Sequence, residues 1–187
     1  MKNVTLIRPP IFIPKGAPSV RTVSLPIGLA YIAAALKSDG FNVDVVDAIG
    51  ESIGQKEMFN EEEFRCLGLD LEDIISRIDP NTELIGITCM FSNDWFYSKG
   101  LAQEIKKCFP ETPIVLGGEH ATATYEHCLN VNEVDMVVLG EGEETICEVA
   151  KNLKNMKRLK QVDGIAFKDG NGKIITTPRR KRIKTIK

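Results

Sequence analysis

Short apolar runs rich in β-branched residues recur along the chain, with amphipathic stretches between them. Residues 4–7, 41–47, 84–90, 113–117 and 134–139 each have strand length and a near-continuous apolar character. Between these runs the apolar positions recur at helical spacing. Leu29, Ile32, Ala33 and Leu36 make one stripe, Leu101, Ala102, Ile105, Cys108 and Phe109 a second, and Ile146, Val149, Ala150 and Leu153 a third. Pro26 suits a helix start and Gly40 a helix end. Further helices are expected over residues 69–77 and just after 120. Strand and helix alternate throughout, which predicts an α/β fold: a doubly wound, five-stranded parallel sheet covered on both faces. The pattern changes after residue 158. Residues 165–168 and 173–176 flank the turn Asp169-Gly170-Asn171-Gly172 and predict a β-hairpin appendage, with 1–158 as the α/β domain and 159–187 as hairpin plus linker.

At 187 residues the chain suits one domain, and no apolar run is long enough to span a bilayer. Arg8 and Pro9-Pro10 interrupt the N-terminal run before a signal-peptide core forms, so the expected location is the cytoplasm. The cysteines, Cys66, Cys89, Cys108, Cys128 and Cys147, are widely spread and contain no C-x-x-C pair. Most of them read as buried free thiols rather than zinc or iron–sulfur ligands. Net charge is −2, yet six of the last ten residues are Lys or Arg, so the rest of the chain sums to −8. The basic run 178–182 lacks interleaved aromatics, which favours a linker over a nucleic-acid patch. The acidic Glu61-Glu62-Glu63 reads as a solvated face.

In open parallel sheets ligands bind beyond the carboxyl ends of the strands. Here those ends lead into residues 8–25, 89–94, 117–122 and 140–143, which are rich in glycine, proline and small polar residues. Residues 8–25 form a long loop of the kind that serves a ligand or moves freely at the surface. No G-x-G-x-x-G follows the first strand and no G-x-x-x-x-G-K-[ST] occurs anywhere, so the two commonest phosphate cradles are missing. The glycine pair Gly117-Gly118 is open to two readings, a tight turn or a place where a ligand approaches the backbone.

Thr88-Cys89-Met90, followed after 26 residues by Gly117-Gly118, resembles the S-x-L…G-G pattern of flavodoxin-like cobalamin-binding domains. The chain is more closely similar to the N-terminal part of cobalamin-dependent radical SAM enzymes. That resemblance rests on Pro26-x-Gly28-Leu29-x-Tyr31-Ile32-Ala33-Ala34, Gly86-Ile87-Thr88-Cys89-Met90, Leu116-Gly117-Gly118-Glu119-His120-Ala121-Thr122, Gly140-Glu141-Gly142-Glu143 and Gly164-Ile165-Ala166-Phe167.

The resemblance implies a cobalamin site built from Pro9, Ser24, Leu25, Pro26 and Gly28 around the first loop, and Thr88, Cys89, Met90 and Phe91 after the third strand. Gly117, Gly118, His120 and Ala121 would contribute after the fourth, and Gly140, Glu141 and Gly142 after the fifth. His120 suits a bond to the cofactor and a capping or exposed role equally. Cys89 is as well explained by a buried thiol, and Glu141 and Glu143 by the helix dipole. The cobalt-ligating D-x-H-x-x-G motif of B12 mutases is missing, which implies cobalamin held base-off without that histidine. The C-x-x-x-C-x-x-C motif is missing too, so S-adenosylmethionine and a [4Fe–4S] cluster would belong to a radical SAM barrel in cis or in trans, for methyl transfer or rearrangement. The rival reading is a nucleotide- or nucleotide-sugar-binding regulatory module, and a receiver-type interaction domain trails both because no acidic pocket closes the first strand.

Overall fold

A computed structural model describes residues 2–14, 16, 24–52 and 64–182. Glu61-Glu62-Glu63 and residues 17–23 of the first long loop lie outside the described residues. Five parallel strands form the expected sheet: β1 (Asn3–Arg8), β3 (Asn42–Asp47), β5 (Thr82–Thr88), β6 (Ile114–Gly117) and β7 (Met136–Val138). Their spatial order is β3-β1-β5-β6-β7, so the chain reverses its direction of winding between β1 and β5.

Helices α1 (Ile27–Ser38), α6 (Glu143–Asn152) and α7 (Met156–Leu159) carry the apolar side chains of one face. Leu29, Ala33, Leu36, Ile146, Val149 and Leu159 bury there against Leu6, Leu84, Val115 and Val138. The opposite face packs Ile7, Ile85, Ile87, Leu116 and Val137 against α2 (Leu71–Ser76), α3 (Trp95–Cys108), α4 (Glu119–Ala123) and α5 (Tyr125–Leu129). Successive strand residues point to opposite faces, and both faces are covered, which is why the strands read as unbroken apolar runs. Pro26 stands at the N-cap of α1, one residue before the first helical turn, where its missing N–H costs nothing. The short helix expected after residue 120 is two helices, divided at Thr124, whose backbone (φ −123°, ψ 29°) leaves the helical region.

The sheet is wider than the pattern predicts. The C-terminal hairpin, β8 (Ile165–Lys168) and β9 (Ile174–Thr176), adds antiparallel to β7 and makes a seven-stranded sheet. Ile165, Ala166 and Phe167 are fully buried, so the hairpin covers the β7 edge and shares the core. Two further strands, β2 (Ile11–Pro14) and β4 (Phe64–Leu67), pair antiparallel in a separate ribbon, where polar flanks and prolines hide the strand signal.

The connection from β5 to α3 is held by an aromatic and histidine cluster. The indole Nε1 of Trp95 donates to His127 Nε2 at 3.0 Å, and the Trp95 ring lies 5.8 Å from that of His120. The two ring nitrogens of His120 meet Ser92 Oγ at 3.1 Å and Thr124 Oγ1 at 3.2 Å. Burial lowers the His120 pKa, a nearby His127 charge lowers it further, and Asp94 opposes them. The folded state therefore binds this proton less readily than the unfolded state, whose imidazole titrates at its ordinary value of 6.5. His120 contributes stability that is complete above that value and declines as pH falls toward the folded pKa. Acidification from about pH 7.5 to about 5.5 is expected to lower the thermal midpoint of the wild type more than that of His120→Asn, which keeps a hydrogen-bonding group and cannot be protonated. Equal drops in the two proteins would assign the pH dependence to other groups.

Candidate functional site

At the carboxyl ends of β1, β5, β6 and β7 a cleft of about 850 Å³ opens. It continues down between the sheet and the α1/α6 layer, because Leu6, Gly86, Val115 and Val138 line it from the strands and Leu29, Ile32 and Ile146 from the helices. Gly86 lies mid-strand in β5, and a Cβ there would stand 2.8 Å from Leu6 Cδ2, so the glycine gives Leu6 its place at the wall of the cleft. This is the switch-point crevice of an open α/β sheet, with a deep apolar extension.

Backbone geometry fixes the rim. Thr88 pairs with Gly117 at the last step of the β5–β6 ladder, and the Cys89 N–H donates to the Gly117 carbonyl at 2.7 Å. The chain then turns at Gly118 with φ +110°, a conformation that side-chain-bearing residues avoid. A Cβ at Gly118 would stand 2.6 Å from the Cys89 carbonyl oxygen, so glycine is demanded by the fold itself. Gly117 is different. A Cβ there would meet none of the described residues within 4 Å, so the space beside it belongs to the cleft. The Thr122 hydroxyl accepts from the Gly140 N–H at 3.0 Å, tying the loop after β7 to α4.

Across the cleft, the Arg8 guanidinium at the end of β1 donates to the Ser24 carbonyl at 2.8 Å and to the Ser24 hydroxyl at 3.2 Å. It also pairs with Asp47 at the end of β3, at 3.4 Å. One cation thus holds the two neighbouring strand ends to the entry of α1.

The cleft is lined by Pro9, Ser24, Pro26 and Gly28 from the first loop and α1, and by Thr88, Met90 and Phe91 after β5. Gly117 and Gly118 line it after β6, and Gly140, Glu141 and Gly142 after β7. Leu25 instead lines a small apolar groove with Ala30, Tyr31 and Ala34. Cys89 and Ala121 are fully buried behind the rim, on the side of the sheet that faces α3 and α4. Burial pushes the Cys89 thiol up to about 11, so it remains protonated at neutral pH. His120 belongs to the Trp95 cluster rather than to the cleft lining, and neither histidine lines the cleft.

Several lining groups are not evident from the sequence pattern. Gly86, Ile32 and Ile146 shape the deep slot, Arg8 orders Ser24, and residues Arg179 to Arg182 return to the mouth. The mid-strand position of Gly86 is the one signal that points to such a slot from sequence. Glu143, in the first turn of α6, also lines the cleft, and its Oε2 is buried with no hydrogen-bond partner among the described residues. Burial raises the pKa of Asp94, which lines the cleft beyond Phe91. Ile27, Met90 and Phe91 give the mouth an exposed apolar border. Among the described residues no group of three or more His, Cys, Asp and Glu could hold a metal ion. The side chains that line the cleft include the hydroxyls of Ser24, Thr88 and Thr122, the carboxylates of Asp94, Glu119, Glu141 and Glu143, and the cations of Arg8 and residues 179–182.

A family model described as "B12 binding domain" matches residues 17–150. Cytidylyl-2-hydroxyethylphosphonate methyltransferase of Streptomyces wedmorensis is 31% identical over 155 residues, covering 82% of this chain and 29% of that protein. The uncharacterized methyltransferase PH0819 of Pyrococcus horikoshii is 32% identical over 171 residues, covering 89% of this chain and 33% of that protein. The chain therefore spans about a third of the length of these relatives. Among solved structures, the cobalamin-dependent S-adenosylmethionine radical enzyme OxsB with aqua-cobalamin bound superposes with TM-score 0.72 at 17% identity, covering 97% of this chain and 23% of that one. The radical S-adenosylmethionine methyltransferase TsrM of Kitasatospora setae, with cobalamin and a [4Fe–4S] cluster bound, gives TM-score 0.68 at 18% identity over 100% of this chain and 31% of that one. The fold, the crevice at its switch point and the family match agree, and the chain belongs to the B12-binding domain family.

Proposed function

We propose that this chain holds cobalamin base-off, with no histidine of its own on the cobalt, and presents it to a radical SAM domain in the same polypeptide or in a partner. The observation that carries the reading is the open space at Gly117: a strand end where glycine is not required by the fold borders a cleft whose inner part is lined by apolar side chains of the sheet and of α1 and α6. The slot between the sheet and α1/α6 takes the nucleotide tail, and the strand ends meet the corrin. Thr88 and the backbone groups of residues 117–118 and 140–142 supply its polar contacts, and Glu143 Oε2 accepts from an amide or hydroxyl of the ligand. When bound, cobalamin supplies a cobalt centre able to carry a methyl group. The protein's own part is to bind it, orient it and keep the slot free of water.

The apolar border of Ile27, Met90 and Phe91 leaves a surface that a domain closing over the cleft would cover. The two methyltransferases among the relatives support methyl transfer as the reaction. Residues 159–187 would then lead from the domain toward the radical SAM partner.

Purified protein incubated with hydroxocobalamin, reduced and desalted is expected to retain about one cobalamin per chain. Its low-temperature EPR spectrum should show cob(II)alamin without nitrogen splitting, since no histidine lines the cleft. A nitrogen-split signal would keep the cofactor and overturn the account of the cobalt's lower face. Complete loss of cobalamin on desalting would turn attention to a nucleotide ligand.

Gly117→Val separates the cleft from the fold. The added methyl groups enter open space in a strand-compatible backbone, so unfolding stability should change by less than about 1 kcal/mol. Cobalamin affinity should fall by about 100-fold or more, on the order of 3 kcal/mol, because the side chain occupies ligand space. Undiminished affinity would place the ligand elsewhere.

A further inference from the structure

The basic run near the end of the chain is not separate from the domain. Pro178 accepts from the Gly164 N–H through its carbonyl at 2.8 Å, which docks the run beside the start of β8. Arg180 then turns back onto α6: its Nε donates to the Thr145 hydroxyl at 2.8 Å, and its guanidinium pairs with Glu144 at 3.1 Å and Glu148 at 2.8 Å. The Arg180 side chain is only 15% exposed, so it is a packed pin. Its neighbours have no such role. Arg179, Lys181 and Arg182 are exposed, line the same cleft as Gly140 and Gly142, and make no ion pair among the described residues.

Three cations are thereby brought to the mouth of a cleft in a chain whose residues 1–177 sum to −8. The acidic groups of the cleft are distributed along its other walls, with Asp94 after β5, Glu119 after β6, Glu141 before α6 and Glu143 in its first turn. The N-terminus of α6, a helix of ten residues, borders the cleft through Gly142 and Glu143. The sequence offers no glycine-rich phosphate cradle, so charge would have to do this work if a phosphate is bound.

We propose that residues Arg179, Lys181 and Arg182 form a phosphate-ester-recognising wall of the cleft, held in place by Arg180. The proposal rests on the cobalamin reading for one of its two sources, the phosphodiester of the nucleotide tail. The other source is a phosphate- or phosphonate-bearing substrate entering the same mouth. Arg180 is a positioning residue: it contacts α6, and its neighbours contact the ligand. Arginine and lysine recognise a phosphate through charge-assisted hydrogen bonds, and exposed cations clustered on one wall reinforce one another at low salt.

The test compares the full chain with the triple variant Arg179→Gln, Lys181→Gln, Arg182→Gln, which leaves Arg180 and its ion pairs intact. Affinities are measured by calorimetry for cobalamin, for cobinamide, which keeps the corrin ring and lacks the nucleotide tail with its phosphate, and for pyrophosphate. A loss of about 10-fold or more for cobalamin, with cobinamide within about twofold of wild type, supports the proposal and assigns the phosphate to the cofactor tail. Unchanged affinity for both corrinoids with loss of pyrophosphate binding also supports it and assigns the phosphate to a separate ligand. Equal losses for cobalamin and cobinamide, or no loss for any of the three probes, overturn it. If wild type binds pyrophosphate but neither corrinoid, the cobalamin reading fails and the pyrophosphate comparison still decides the proposal. Arg180→Gln keeps the three cations but frees the segment, so it should lower affinity for the same ligand, with Arg180→Lys restoring part of it.

Discussion

The parallel pairing of β5 with β6 is the constraint on which the site depends. The ladder ends at Thr88 and Gly117, and the next residue must turn at φ +110° with its Cα against the Cys89 carbonyl. That approach leaves no room for a side chain at Gly118, and it sends the chain into α4 away from the sheet's end. The consequence is an open edge. Reversal of winding between β1 and β5 places this edge at the switch point, so the gap beside Gly117 continues into the slot under α1 and α6. Gly86, in the middle of a strand otherwise packed with leucine and isoleucine, lets Leu6 lie over β5 at the wall of this slot.

Polar contacts then fix the loops around that edge. Arg8 joins the ends of β1 and β3 to Ser24, Thr122 joins α4 to Gly140, and Arg180 joins the end of the described chain to α6. Each of these links crosses between elements distant in sequence, and each bears on a residue that lines the cleft. The side chains of Glu144 and Glu148, the partners of Arg180, are exposed, so solvent screens these pairs and they contribute little to global stability. Their effect is local: they hold loop positions that apolar packing does not reach.

The two histidines show how a residue of chemical promise can be absorbed by structure. His120 follows the glycine turn and is close in sequence to the cleft, but a helix start rotates it toward Trp95, Ser92 and Thr124. His127 accepts from the Trp95 indole on the same side. Both support the connection between β5 and α3, which carries Met90 and Phe91 on the rim.

The alternation of apolar runs and helical stripes determined the parallel five-stranded core, because a sheet covered on both faces leaves its mark on every strand residue. The order and spacing of Thr88 and Gly117-Gly118 likewise pointed to the strand ends, where the cleft opens, although Gly118 serves the turn and Gly117 alone of the pair borders open space. Tertiary structure decided the rest. Hairpin β8–β9 looks independent in sequence because hydrogen bonding to β7 leaves no local signature, while Ile11 and Cys66 reveal their strands only once β2 and β4 pair. The depth of the slot depended on which way Gly86, Ile32 and Ile146 faced. The basic run became part of the cleft only through Arg180, whose partners Glu144 and Glu148 lie more than thirty residues earlier in the chain, a distance that no local pattern can bridge.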